Sequence, residues 1–254
     1  MQPDRKGRLV VLSGPSCAGK SPLAQALVKF FPNWASRLQP LVLYHSRTPR
    51  PGERDGFDYH FRTREQLESL RSDHKYVVLD VRGDLQALDI AELTTLLNSG
   101  DVIYEGNPFA GVTLLDHPVL TNIPKLSVFL SPLSKAEIFY LQSPERNLDF
   151  KEFVSDVMRR KLLRRTRRQK GELSARDLES IEKRAASAYA ELQTAWHFDY
   201  VIPNHDGEDS DNWDAFYYPL GDARNSLIQF VALLEGTLSP GLETWDAELL
   251  SSGK

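Results

Sequence analysis

"GPSCAGKSP", residues Gly14 to Pro22, follows the aliphatic run "RLVVLS" (Arg8 to Ser13). That run is short, β-branched and apolar throughout, as expected of a strand buried on both faces. After it, "GKSPLAQALVKFF" sets Leu23, Ala26, Leu27 and Phe30 on one helical face, and Pro32 ends the pattern. Pro22 is compatible with this helix, because a first-turn N–H has no intrahelical partner to lose. Gly14, Gly19, Lys20 and Ser21 satisfy G-x-x-x-x-G-K-[ST], with a strand leading in and a helix leading out. Main-chain amides of such a loop converge on phosphate oxygens, and the helix end adds a favourable dipole. The stretch Gly14, Pro15, Ser16, Cys17, Ala18, Gly19, Lys20, Ser21 and Pro22 therefore reads as a nucleotide-binding loop. Lys20 would reach the β- and γ-phosphates of ATP, and Ser21 would join the Mg²⁺ shell. Cys17 reads as a small filler, with a thiol activated by the helix end as the alternative.

With 254 residues, the chain is long enough for one large domain or a core with a small mobile appendage. A hydrophobic content of 41% and a charged content of 26% are ordinary for a globular protein. A net charge of −4 gives no global pull toward nucleic acid. No apolar stretch approaches the roughly 18 residues that span a bilayer, and "MQPDRKGR" lacks the apolar centre of a secretory signal. A cytoplasmic location is expected. Cys17 is the only cysteine and the 6 histidines are scattered, which argues against a disulfide or a multi-cysteine metal site.

Further strands are expected at Leu41 to Ser46, Tyr76 to Val81, Asp101 to Glu105, Leu126 to Ser131 and Tyr200 to Pro203. A helix is expected over Ile90 to Leu97, capped by Asp89 with Glu92 three residues on. Alternating strands and helices predict a mostly parallel, covered sheet with ligands at the carboxyl ends of its strands. Two long helical stretches, about Asp149 to Gln169 and Ala175 to Ala195, flank "GELS" and predict a helical hairpin beside the sheet. The acidic stretch "NHDGEDSDNWD" (Asn204 to Asp214) reads as a surface loop before a last helix, about Asp222 to Glu235, and the final "SSGK" as a frayed end.

After the second expected strand comes "SRTPRPGERDGFDYHF", Ser46 to Phe61. Its arginine forks suit phosphate geometry, and its prolines hold the segment open at low entropic cost. The two motifs together resemble those of the guanylate kinase family, GPSGxGK[ST] followed by TRxPRxGExxGxDYxF. Arg47, Pro49, Arg50, Gly52, Glu53, Gly56, Asp58, Tyr59 and Phe61 match the second pattern. The resemblance spans about residues 8 to 204, with roughly 20 residues around Phe139 to Val157 that the family lacks.

This resemblance implies an α/β fold: a P-loop NTPase core with a mostly parallel sheet flanked by helices, a small acceptor-binding subdomain and a helical lid. In one domain, residues 1–254, the core would take about 8–45, 100–140 and 196–236, the subdomain about 46–99 and the lid about 145–195. Ser46, Arg47, Arg50, Glu53 and Tyr59 would form the acceptor site. "ESIEKRAASAYAEL" places Arg184 against the transferring phosphates, and "FDYVIPN" places Asn204 near the adenine of ATP. The basic run "RRKLLRRTRRQK" carries eight Lys or Arg in twelve positions, and Arg164, Arg165 and Arg168 are the lid candidates among them. Not all eight charges can face one nucleotide, so most are expected to be solvated. Glu105 or Asp80 would assist Mg²⁺ through water.

The sequence departs from the family where guanine is read. Leu43, Val77 and Leu88 stand at positions of hydrogen-bonding residues, and Gln86 replaces a phosphate-holding tyrosine. Asp80, Asp84 and Asp89 are alternative sources of the missing carboxylate. The expected activity is transfer of the ATP γ-phosphoryl to a phosphorylated small acceptor, a nucleoside monophosphate first, with GMP open. A phosphorylated sugar and a non-catalytic protein-interaction module are the alternatives. Neither membrane nor nucleic acid is an expected partner.

Overall fold

A computed structural model of the chain describes residues 7–49 and 52–251. Strand β1 (Leu9–Ser13) is buried along its whole length. It lies at the centre of a parallel sheet whose order is β2 (Leu38–Pro40), β7 (Asp101–Gly106), β1, β8 (Lys125–Ser131) and β9 (Tyr200–Pro203). Residues of β1 alternate between two apolar clusters, with Leu9 and Val11 on one face and Val10 and Leu12 on the other. Both faces are covered, which is why the strand reads as an uninterrupted aliphatic run. Since β1 pairs β7 on one side and β8 on the other, the strand order reverses at its carboxyl end. A crevice for ligand opens at such a reversal.

Helix α1 (Lys20–Phe30) starts there and buries Leu23, Ala26 and Leu27. Helix α2 (Pro32–Ala35) is a single turn opened by Pro32.

A second sheet has the order β4 (His60–Phe61), β3 (Tyr44–His45), β6 (Asp84–Asp89) and β5 (Tyr76–Val81), with α3 (Arg64–Ser69) packed on it. Two sequence expectations are corrected here. Leu41 to Ser46 is not one strand: Leu38–Pro40 is the edge of the main sheet, and Tyr44–His45 starts the second. Tyr76 to Val81 is not a parallel strand either. It forms an antiparallel hairpin with Asp84–Asp89, closed by Arg82 and Gly83 at φ 58° and 85°. Positive φ at both turn positions gives the twist that a two-residue hairpin requires.

Helix α4 (Ile90–Ser99) is capped by Asp89, whose carboxylate accepts from Ala91 N and Glu92 N. Helix α5 (Pro108–Asp116) follows β7, and α6 (Lys135–Leu141) follows β8. Helices α7 (Phe150–Lys170) and α8 (Ala175–Leu192) form the expected hairpin and pack Met158, Leu162, Ile181 and Ala185 into the main core. Helix α9 (Gly221–Leu234) covers the other face through Leu227 and Phe230. The chain then returns across β9, where Val201 and Glu243 exchange two main-chain hydrogen bonds of 2.7 and 2.9 Å, and buries Trp245, Leu249 and Leu250. Of the final "SSGK", only Ser251 lies within the described residues.

Candidate active site

The loop after β1 turns through three residues of positive φ, Gly14 at 150°, Cys17 at 69° and Gly19 at 103°. A Cβ at Gly14 would collide with the Leu130 carbonyl, so strand β8 presses against the loop there. Cys17 is fully buried in the main apolar cluster. Burial, with Glu208 and Asp209 nearby, pushes its thiol far above the usual range. It fills space and is not an activated nucleophile. Lys20 Nζ donates to Gly14 O at 2.8 Å and Pro15 O at 2.7 Å, which sets the ammonium over the mouth of the loop. Burial lowers its pKa, and the Glu208 and Glu105 carboxylates pull it back up.

Ser21 Oγ donates to Glu105 Oε1 at 2.7 Å. Burial raises the Glu105 pKa against the opposing Ser21 hydrogen bond and Lys20 charge. A hydroxyl and a half-buried carboxylate side by side at the helix start are a hard oxygen donor pair and fit Mg²⁺. Asp80 does not share this place. It lies on the β5 to β6 hairpin, accepts from Gly83 N and pairs with Arg64.

On the second sheet, Arg47 makes a two-pronged ion pair with Glu53, at 2.6 and 2.7 Å. Its guanidinium lies 5.1 Å from the Tyr59 ring centroid, and its buried Nε has no hydrogen-bond partner among the described residues. Ser46 Oγ accepts from Leu85 N at 2.8 Å. Arg50 lies outside the described residues. Leu43 and Leu88 are buried in the main apolar cluster with Val77 packed against it, while Asp89 is committed to capping α4. None of the three apolar side chains has a group that could pair with the edge of a base.

The tip of the second sheet reaches the phosphate loop. Arg82, at the hairpin tip, donates from Nη1 to Ser16 Oγ at 3.0 Å and from Nε to Glu191 Oε1 at 2.6 Å. Asn107 Nδ2 reaches the same Glu191 oxygen at 3.2 Å. Tyr59 packs against the cluster that contains Cys17, and the charge of Asp58 is felt at Glu105. Arg82, Glu191 and Asn107 were missed from the sequence. The "RG" between two alternating strands was the available signal for the first.

The acidic stretch is not a free surface loop. Asn204 is fully buried, with Nδ2 donating to Ala18 O and Asp206 O, each at 2.8 Å. Its amide supports the phosphate loop. Glu208 Oε2 accepts from Gly19 N at 3.2 Å, and the Asp209 side chain is 4% exposed. The basic run meets this loop, and although Arg160, Arg164, Arg167, Arg168 and Lys170 are exposed, Lys161 is not solvated. Lys161 is buried and donates to His205 O at 2.6 Å, with Asp209 Oδ1 at 3.3 Å. Arg164 pairs with Asp209 and Arg168 with Asp211. Arg165 is felt at Cys17, and its buried Nε has no hydrogen-bond partner among the described residues. Arg184 is buried on α8.

A phosphate loop at the strand reversal, with a hydroxyl and a carboxylate at its helix start and a cation-rich helix packed on the adjoining segment, fits a P-loop phosphotransferase. The guanylate kinase family model matches residues 6–83. The guanylate kinase of Rhodococcus jostii is 34% identical over 206 residues, which cover 80% of this chain and 82% of that one. The guanylate kinase of a Synechococcus species is 30% identical over 220 residues, covering 85% of each chain. The crystal structure of guanylate kinase from Anaplasma phagocytophilum superposes with a TM-score of 0.53 at 18% identity, over 97% of this chain and 95% of that one. The chain belongs to the guanylate kinase family, and through it to the nucleotide kinases. No helix among the described residues is long and apolar enough to cross a membrane.

Proposed function

We propose that this enzyme transfers the γ-phosphoryl group of ATP to a nucleoside monophosphate. The observation that supports the reading is the Arg82 bridge to Ser16, which ties the second sheet, next to the Arg47, Glu53 and Tyr59 cluster, to the phosphate loop. Gly14 to Pro22 hold the ATP phosphates through main-chain amides, except at Pro15 and Pro22, which have none. Lys20 neutralises charge at the mouth of the loop, and Arg164, Arg168 and Arg184 supply further positive charge during transfer. Ser21 and Glu105 are the residues that would hold Mg²⁺, which when bound offsets developing charge on the phosphoryl oxygens.

Arg47 and Arg50 grip the acceptor phosphate, Tyr59 supports the Arg47 plane, and Glu53 orients the fork without touching the anion. Ser46 shapes the start of the segment by accepting from Leu85 N. The acceptor phosphate is already a competent nucleophile, so positioning and charge neutralisation suffice.

The relatives are named guanylate kinases, which makes GMP the first acceptor to test. Leu43, Val77 and Leu88 offer guanine no hydrogen bonds. A site that does read a base by hydrogen bonds discriminates by about 10⁴ to 10⁵. We therefore expect GMP to exceed other nucleoside monophosphates by far less. ADP release with a panel of nucleoside monophosphates and phosphorylated sugars decides the point. Turnover with GMP alone overturns the relaxed base reading, and turnover only with a phosphosugar overturns the nucleotide acceptor.

A further inference from the structure

We propose that the segment Asp206 to Asp214 is a built-in occupant of the donor phosphate site, a carboxylate strap that the polyphosphate of ATP must displace. The inference rests on the reading of Gly14 to Ser21 as the ATP phosphate loop. Glu208 lies where that reading puts an anion, with its carboxylate on the Gly19 amide at 3.2 Å. Its charge is also the strongest acidic influence on the buried Lys20 ammonium. Asp209 takes Lys161 at 3.3 Å and Arg164 at 2.7 Å, and Asp211 takes Arg168. The cations that would receive phosphate oxygens are thus engaged by the chain's own carboxylates.

The strap has a defined shape. Asn204 fastens its start to Ala18 O. The Asp206 carboxylate accepts from Ser210 Oγ at 2.7 Å, Asn212 Nδ2 at 3.0 Å and Ala223 N at 3.1 Å, which closes the segment on itself. Trp213 Nε1 donates to Asp206 O at 2.7 Å and to Gly207 O at 3.1 Å. Gly207 passes so close to the loop that a Cβ there would collide with the Cys17 carbonyl. Asp206, with its own partners, belongs to the scaffold. Glu208, Asp209 and Asp211 are the exchangeable anions.

When ATP enters, Gly19 N, Lys161, Arg164 and Arg168 exchange carboxylate oxygens for phosphate oxygens, so their charge is balanced in both states. A protein whose competent state is only fractionally populated binds with affinity reduced by that fraction. Freeing the strap therefore tightens phosphate binding without altering the phosphate loop itself.

The test uses the full chain and three ligands: ATP, inorganic triphosphate and adenosine. Titration calorimetry compares the parent with Glu208→Gln and with Glu208→Gln/Asp209→Asn/Asp211→Asn, each checked for folding by thermal melting. The expected result is ATP and triphosphate binding about 10- to 100-fold tighter in the triple variant, with adenosine unchanged. The parent should also lose amide-exchange protection over residues 206–214 when ATP is added. Should the triple variant fail to fold, Glu208→Gln carries the comparison. Equal or weaker ATP binding in a folded variant overturns the strap while leaving the kinase reading in place, as does full protection of 206–214 with ATP bound. Absence of ATP binding in parent and variants alike removes both.

Discussion

The Arg82 guanidinium donates through Nε to the Glu191 carboxylate at 2.6 Å, and Glu191 is fully buried. The contact ties the tip of the second sheet to helix α8, with Ser187 Oγ on the same oxygen at 2.7 Å. Removing one partner of a buried pair strands the other charge and costs about 3–5 kcal/mol. Arg82→Ala is expected to lose stability of that order in urea denaturation. Arg82→Ala/Glu191→Gln should recover much of it, because the stranded charge is gone. An unchanged midpoint in the single variant would show that the bridge contributes nothing.

Glu105 and Ser21 form the oxygen pair at the start of α1. Glu105→Gln keeps the shape and removes the charge. Disturbing a residue that orients a metal or its ligands commonly costs about 10- to 100-fold in affinity or activity. The variant should need correspondingly more Mg²⁺ for half-maximal rate, with its ATP-free melting temperature nearly unchanged. A normal Mg²⁺ dependence would move the metal elsewhere.

Arg47 is held in a forked pair by Glu53. Lysine keeps the charge and loses the fork. A charge-assisted hydrogen bond contributes about 1.5–3 kcal/mol, so Arg47→Lys should raise the acceptor KM by about 10- to 100-fold. The KM for ATP should stay near its parent value. An equal rise in both would point to a general structural effect.

His205 sits between Asp222 at 2.6 Å and Glu137 at 2.9 Å. Partial burial favours the neutral ring, but the Asp222 and Glu137 hydrogen bonds and charges outweigh it and raise the pKa above 6.5. A raised folded-state pKa means that the stabilisation is fully present below 6.5 and is lost as pH rises through the folded value. The melting temperature of the parent, compared with that of His205→Gln, should show an advantage on the acid side that fades with rising pH. A difference independent of pH would mean that the imidazolium is not the stabilising form.

How much of this was legible in the sequence differs between the two halves of the site. The phosphate loop was, because Gly14 and Gly19 act through main-chain geometry, and Lys20 and Ser21 through side chains that their spacing from those glycines positions. The helical hairpin was legible too, since its periodicity runs for many turns. The β5 to β6 hairpin was not, because Arg82 takes a left-handed conformation that favours glycine, and its neighbour Gly83 alone is a weak signal. The acidic stretch was misread for another reason. Its composition is that of a solvated loop, and only the fold brings the basic helix against it.

The return of the chain over β9 has a consequence for solubility. β9 is the outermost strand of the main sheet, and the residues around Glu243 pair with it at Val201. An outer strand with free amides and carbonyls invites pairing with another molecule. The tail acts as a selvedge that keeps the sheet from being extended by a neighbour. A chain truncated after Gly236 should self-associate in light scattering at concentrations where the intact protein does not.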